Sequence, residues 1–161
     1  MLVWNRVPTA HGQAPDLVLG QQDATQCAHN DDDQDGTIDT TPTARTLYSP
    51  SSVWTDGTRL VVSDFGNHRV LVWNSFPTRH FQPADTVLGQ SDFAHSTAND
   101  DDQNGAVDTT PSARTLYRPL AVTGNGVQLA VADFENNRVL IWIRMPTASF
   151  QPADVVLGQG D

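Results

Sequence analysis

The sequence is poor in several residue types, and each shortage excludes a class of protein. It has no lysine, its nine basic residues are all arginine, and it lacks the basic stripe of a nucleic-acid-binding surface. Cys27 is the single cysteine, so we expect a free thiol, unless a cysteine outside this chain pairs with it. No apolar run approaches the roughly 20 residues of a membrane span, and no signal peptide is visible at the N-terminus.

Helical periodicity is also missing. Ten prolines and eleven glycines interrupt the chain, and no long stretch repeats its apolar residues at the 3.6-residue period of a helix. Short runs rich in Val and Leu, each bounded by turn residues, recur instead and indicate β-strands. The sequence therefore predicts an all-β fold.

A repeat of 69 residues organises the chain. Three tryptophans and three Val-Leu-Gly-Gln runs recur at this spacing: Trp4, Trp73 and Trp142, with the runs at 18–21, 87–90 and 156–159. Met1 occupies the place of Val70 and Val139, inside a predicted strand, so the chain begins in the middle of a unit. We therefore expect a fragment of a longer array, or a protomer that needs partners.

Each unit has the strand content of a propeller blade. In the middle copy we expect strands at 48–54, 59–64, 69–74 and 85–90, and four short antiparallel strands in tandem units are typical of a β-propeller. Asp56-Gly57 and Asn125-Gly126 favour two-residue hairpins, because both dipeptides accept positive φ. The single repeat array then has about 2.5 blades, too few to close a ring. Its parts are the last two strands of a blade at 1–22, an insertion at 23–47, a blade at 48–91, an insertion at 92–116 and a blade at 117–161.

The second and third strands carry a family pattern. Val-Val-Ser-Asp-Phe-Gly-Asn-His-Arg-Val-Leu-Val-Trp-Asn at 61–74 and Val-Ala-Asp-Phe-Glu-Asn-Asn-Arg-Val at 131–139 resemble the NHL-repeat β-propellers. Asn137 stands where that family often has histidine. The resemblance implies the propeller fold and leaves function open. Some NHL propellers are zinc-dependent lyases with histidines meeting at the axis, but no histidine here lies in an expected innermost strand.

The acidity of the chain is local. The net charge is −10, yet five acidic residues lie within 31–39 and four within 100–108, and the rest of the chain is nearly balanced. Asp31-x-Asp33-x-Asp35-Gly36-x-Ile38-Asp39 matches the first nine positions of a calcium loop, in which alternate acids point oxygens inward around a turn. The predicted ligands are Asp31, Asp33, Asp35, Thr37 and Asp39, and in the second loop Asp100, Asp102, Asn104, Ala106 and Asp108, with Thr37 and Ala106 acting through backbone carbonyls.

These loops depart from an EF-hand. Pro42 and Pro111 stand at position 12, where an EF-hand has a bidentate glutamate, and no helices flank the loops. They resemble the isolated loops of dockerin and thrombospondin type 3 modules. Clustered carboxylates repel one another unless a cation offsets their charge, so we predict one Ca²⁺ per loop, bound at about 0.1–1 mM. Ile38 and Val107, at position 8, are expected to pack on the core. The alternative is a solvated acidic turn that binds nothing.

Six residues flank the turns that share a face with the acidic loops. Two interpretations are open for them: they face a ligand, or Asp64 with Arg69 and Asp133 with Arg138 form ion pairs that close the hairpins. The six are Asp64, Asn67, Arg69, Asp133, Asn136 and Arg138.

Two functions from different classes fit these features. The favoured hypothesis is a calcium-stabilised extracellular or periplasmic segment that acts as a binding or scaffold module for a protein or carbohydrate ligand. We expect no nucleic-acid partner and no membrane span, with missing blades or further copies of the chain completing a ring. The alternative is part of a propeller lyase or hydrolase whose catalytic residues lie mostly outside this chain. Repetition favours the first, because a catalytic residue should break the repeat at one place.

Overall fold

The computed structural model describes residues 1–159; the last two residues of the predicted final blade, 160 and 161, lie outside this range. The chain is nearly all-β, as predicted, with 29% strand and 4% helix. Its ten strands are β1 (Leu2–Val3), β2 (Leu17–Val18), β3 (Pro50–Thr55), β4 (Leu60–Asp64), β5 (Arg69–Trp73), β6 (Thr86–Leu88), β7 (Pro119–Gly124), β8 (Leu129–Asp133), β9 (Arg138–Trp142) and β10 (Val155–Leu157). Single 3₁₀ turns at Phe65–Asn67 and Phe134–Asn136 connect β4 to β5 and β8 to β9.

The strands form three antiparallel sheets in which neighbours along the chain are neighbours in space. β1 pairs with β2, β3 to β6 form a four-stranded sheet, and β7 to β10 form another. A four-stranded antiparallel meander is the architecture of a propeller blade. Within residues 1–159 the sheets do not close a ring.

The first hairpin of each blade differs from the expected two-residue turn. Thr55 pairs with Leu60, so four residues connect β3 to β4, and the positive φ falls on Gly57 alone, at 87°. The Asp56 carboxylate accepts hydrogen bonds from the backbone N–H groups of Thr58 and Arg59 at 2.9 and 2.7 Å. Asp56 therefore caps the turn with its side chain and does not adopt a left-handed backbone.

The core consists of two layers, one on each side of β3–β6. Strand residues alternate between the faces, so β4 and β5 send Val61, Val70 and Val72 toward the second blade and Leu60, Val62, Leu71 and Trp73 toward the N-terminal strands. The first set packs on Val122, Leu129, Val131, Leu140 and Trp142, and the second on Leu19 and Leu47. Burial of this apolar surface holds the successive sheets together.

The glycines of the first two Val-Leu-Gly-Gln runs mark where an insertion returns to the sheet. Gly89 has φ of 91° and forms a parallel bridge with Thr115. A Cβ atom at Gly89 would lie 2.8 Å from the His68 carbonyl oxygen and 2.8 Å from Leu116 Cδ1. Both the conformation and the space require glycine here. The contact places the insertion against the turn between β4 and β5.

Candidate metal centre

The first aspartate of each acidic loop shapes the loop around itself. Asp31 is fully buried, and its two carboxylate oxygens accept hydrogen bonds from the backbone N–H groups of Asp35 and Gly36 at 3.1 and 3.0 Å. Gly36 takes the positive φ, 87°, that the bend requires. Asp100 makes the same bonds to Asn104 and Gly105 at 3.0 and 2.8 Å. Each loop therefore curls around a buried carboxylate.

Three carboxylates converge in each loop. One oxygen from each of Asp31, Asp33 and Asp39 lies within 4.8 Å of the others, and the second loop repeats this with Asp100, Asp102 and Asp108. In each group one aspartate is buried, one is intermediate and one is exposed. Among residues 1–159 none of these six carboxylates forms an ion pair with a basic side chain. Oxygen-only donor sets suit hard cations such as Ca²⁺, Mg²⁺ or Mn²⁺, so both clusters could hold a metal ion.

The other predicted ligands make hydrogen bonds within the turn. Asp35 accepts hydrogen bonds from the backbone N–H and the hydroxyl of Thr37 at 2.8 and 2.6 Å, and these bonds lower the pKa of the Asp35 carboxyl. Asn104 likewise accepts from the Ala106 N–H at 2.8 Å. Asp35 is not one of the three clustered carboxylates of its loop. A ligand role for Asn104, and for the backbone carbonyls of Thr37 and Ala106, stays a prediction.

The expectation for position 8 is wrong. Ile38 and Val107 are 60% and 62% exposed, so neither packs on the core. The loops are anchored through polar contacts instead.

Position 2 of each loop supplies one anchor that the sequence analysis missed. Asp32 accepts from both Nε and NH2 of Arg45, at 3.2 and 2.8 Å, and from the Thr43 hydroxyl at 2.7 Å. The Arg45 guanidinium lies over the Phe81 ring, 4.9 Å from its centroid. The second copy repeats the arrangement with Asp101, Arg114, Ser112 and Phe150. The sequence signal for this anchor is the recurrence of Asp32 and Arg45, 69 residues later, as Asp101 and Arg114.

The four charged residues that flank the β4–β5 and β8–β9 turns form buried ion pairs. Arg69 is fully buried, and its Nε donates to Asp64 at 2.7 Å, while its other nitrogens donate to the carbonyls of Thr43, Thr46 and Phe93. Burial raises the pKa of the Asp64 carboxyl, and the neighbouring guanidinium opposes that shift. Arg138 and Asp133 form the equivalent buried pair at 2.8 Å. The geometry is that of the ion pairs closing the hairpins, because these charges are turned inward.

Asn67 and Asn136 complete these networks. Each donates an amide hydrogen to the aspartate of its own ion pair, Asp64 or Asp133, at 2.8 Å. Asn67 is 1% exposed, whereas Asn136 is partly exposed. Asn67 therefore presents no face to an external ligand.

The histidines are dispersed. His29 stacks on Tyr48 with ring centroids 3.8 Å apart, and His68 packs edge-on against Tyr117 at 5.2 Å. His80 Nδ1 accepts from the Val18 N–H at 3.0 Å. In the described part of the chain, both side-chain groups able to hold a metal consist of aspartates alone, with no histidine.

No family model matches the chain, and no curated protein matches it. Within residues 1–159, no helix has the length and apolar character needed to cross a membrane.

Proposed function

We propose that this chain is a calcium-binding, NHL-like β-propeller segment that acts as an extracellular or periplasmic binding or scaffold module. The observation that carries the proposal is the pair of three-carboxylate clusters, Asp31 with Asp33 and Asp39, and Asp100 with Asp102 and Asp108. A cation in each loop offsets the mutual repulsion of the carboxylates, and water or carbonyl oxygens complete a shell of about six to eight ligands.

Calcium fits the donor set better than a transition metal does. The donors are oxygens without thiolate or imidazole, the combination that Ca²⁺ prefers. Three carboxylates without a bidentate glutamate support an affinity of about 0.1–1 mM, a range that extracellular calcium occupies. This affinity and the lysine-free acidity are the grounds for the proposed location.

The role of the metal in this proposal is structural. Each acidic loop lies in an insertion whose carbonyls receive the buried guanidinium of the following blade, Arg69 or Arg138. A cation that orders the loop also orders this contact. Metal sites that serve architecture recur in every copy, and these two do.

Thermal unfolding in 5 mM CaCl₂ and in EDTA tests the proposal. Ligand binding to the folded state alone raises the midpoint by mass action, so we expect a clear rise in calcium and a smaller one in magnesium. The double variant Asp33→Asn/Asp102→Asn should lose the rise. Glu135→Gln, which removes one surface acid outside the loops, should keep it. Equal midpoints in calcium and EDTA for the unaltered chain would reduce the loops to solvated turns.

A further inference from the structure

A groove lies beside the first acidic loop. Its cavity measures about 590 Å³, a size typical of small-molecule sites. Asp32, Asp33 and Gln34 of the loop line one part of it, and Arg79, His80 and Phe81, from the connection between β5 and β6, line another. The groove therefore joins the proposed metal loop to a basic segment of the following blade.

Arg79 of this groove breaks the repeat, with alanine at both equivalent positions, Ala10 and Ala148, whereas His80 recurs as His11 and is replaced only by Ser149. Asp32, Arg45 and Phe81, which anchor the loop, recur 69 residues later as Asp101, Arg114 and Phe150, whereas Arg79 and His80 are replaced by Ala148 and Ser149. The fold keeps the first group in both copies and does without the second. Arg79 is thus available for a task specific to the first groove, and His80 for one that the groove of the second copy does not share.

His80 and Ser149 make the same structural contact in their two copies. Its Nδ1 accepts from the Val18 N–H at 3.0 Å, and the Ser149 hydroxyl oxygen accepts from the Val87 N–H at 3.2 Å in the same place. A hydroxyl therefore satisfies the structural need for an acceptor. The imidazole also offers a hydrogen-bond donor on its other nitrogen, because a neutral ring that accepts at Nδ1 carries its proton on Nε2.

Arg79 is an arginine without an internal partner. Six of the nine arginines form ion pairs with Asp or Glu. Across residues 1–159 Arg79 forms neither an ion pair nor a side-chain hydrogen bond, and it is exposed in the groove. A free guanidinium is matched in geometry to a carboxylate, which it can bind through two parallel hydrogen bonds.

Metal binding would set the charge of the groove. Arg45 already neutralises Asp32, and Asp33 belongs to both the groove and the carboxylate cluster. A divalent cation would lower the combined formal charge of the three clustered carboxylates from −3 to −1, and so weaken the repulsion that Asp33 exerts on an anion in the groove. We propose that the groove binds a carboxylate-bearing ligand when calcium occupies the first acidic loop, with Arg79 holding the carboxylate and His80 donating from Nε2. This inference rests on the proposed function.

Titration calorimetry in two stages tests this inference. Calcium is titrated first, so that failure of the metal site is seen separately. Trigalacturonic acid and succinate, a glycan carboxylate and a free one, are then titrated in 5 mM CaCl₂ and in EDTA, with neutral galactotriose as a control. We expect at least one acid to bind in calcium and not in EDTA. Arg79→Ala should weaken its affinity by about ten-fold or more. Arg144→Ala removes an exposed arginine that does not line the groove and should leave the affinity unchanged.

A graft supplies a test that does not depend on loss of function. Ala148→Arg with Ser149→His rebuilds the two residues beside the second loop, and the stoichiometry of the acid should rise from one to two. Calcium binding without binding of either acid would overturn this inference and leave the proposed function intact. Acid binding that is indifferent to calcium, or to Arg79→Ala, would also overturn it.

Discussion

Asn30 and Asn67 exchange two amide hydrogen bonds across 37 residues of sequence, each Nδ2 donating to the other's Oδ1 at 2.9 Å. Asn30 immediately precedes the first acidic loop, and Asn67 lies in the turn between β4 and β5. Both side chains are almost fully buried. Asn99 and Asn136 make the same exchange in the second copy, at 2.9 and 2.8 Å. The pair docks the entrance of the acidic loop onto the blade, so loop order and blade stability are coupled.

Replacing Asn30 with alanine should therefore destabilise the fold. The change removes both bonds and leaves the buried Asn67 Oδ1 without a donor, which costs about 1–3 kcal/mol. Urea unfolding measures the loss. Asn99→Ala is the matched control and should cost less, because its partner Asn136 is partly exposed and can turn to water. Equal costs at both positions would contradict this role for burial.

The sequence could predict the strands because each has its own local signal. Alternating apolar runs and the 69-residue repeat place β4 and β5 within a residue of their observed bounds. The loop carboxylates Asp31, Asp33 and Asp39 were predictable because the ligand spacing is local too.

The anchors could not be predicted from local pattern. Asn30 meets Asn67, and Arg45 meets Phe81, only after the insertion folds back over the blade. The exposure of Ile38 has the same cause: polar bonds from Asp32 hold the loop, so no apolar plug is needed. Asp56 caps its turn through a side-chain acceptor, a choice that the Asp-Gly dipeptide alone does not distinguish from a left-handed turn.

The two aspartates at positions 1 and 3 should separate structure from metal binding. Asp31→Ala removes the acceptors of two backbone N–H groups in a buried site. We expect the free energy of unfolding in EDTA to fall by about 1–3 kcal/mol and calcium to bind more weakly. Asp33→Ala should leave stability in EDTA within about 0.5 kcal/mol and lose only the calcium-dependent part. Urea unfolding with and without calcium distinguishes the two. Equal behaviour of both variants in EDTA would argue against the capping role of Asp31.

The buried ion pair makes Arg69 a sensitive position. Arg69→Met leaves the Asp64 charge without its counter-ion and three carbonyls without a donor, and we expect a loss of about 3–5 kcal/mol. Denaturant unfolding provides the measurement. Arg59→Met, which breaks the partly exposed pair with Asp56, should cost no more than about 1 kcal/mol. A small effect at Arg69 would mean that the insertion is held mainly by its other contacts.

His68 should make the fold sensitive to mild acid. Burial lowers the pKa of His68 to about 4 from the ordinary 6.5, with the Arg118 guanidinium adding to the shift and Glu135 opposing it. Because folding favours the neutral ring, the stability that depends on a neutral His68 is fully present above pH 6.5. It is lost as the pH falls toward 4. The full loss is about 3 kcal/mol.

Variants taken from the next copy test this assignment. Asn137 occupies the equivalent left-handed position, with φ of 54°, so His68→Asn is compatible with the backbone and should flatten the stability profile between pH 6.5 and 4.5. His29→Ala, which introduces the residue found at position 98, is the control for loss of a histidine elsewhere in the fold. An unchanged slope in His68→Asn would assign the acid sensitivity to other groups.

The outer face of the second blade predicts association. Leu88 and Thr86 of the first blade are 0% and 3% exposed beneath the second blade, but their equivalents Leu157 and Val155 are 51% and 39% exposed. The exposed face of the second blade repeats the face of the first blade that the second blade covers. It is therefore suited to pack against another unit of the same repeat. We expect the chain to self-associate with increasing concentration, as light scattering would show. Leu157→Asp should weaken association at least ten-fold, since it places a charge in the contact. Val127→Asp, in the turn between β7 and β8, should not. A well-folded monomer at every concentration would contradict self-association and favour a self-sufficient open array.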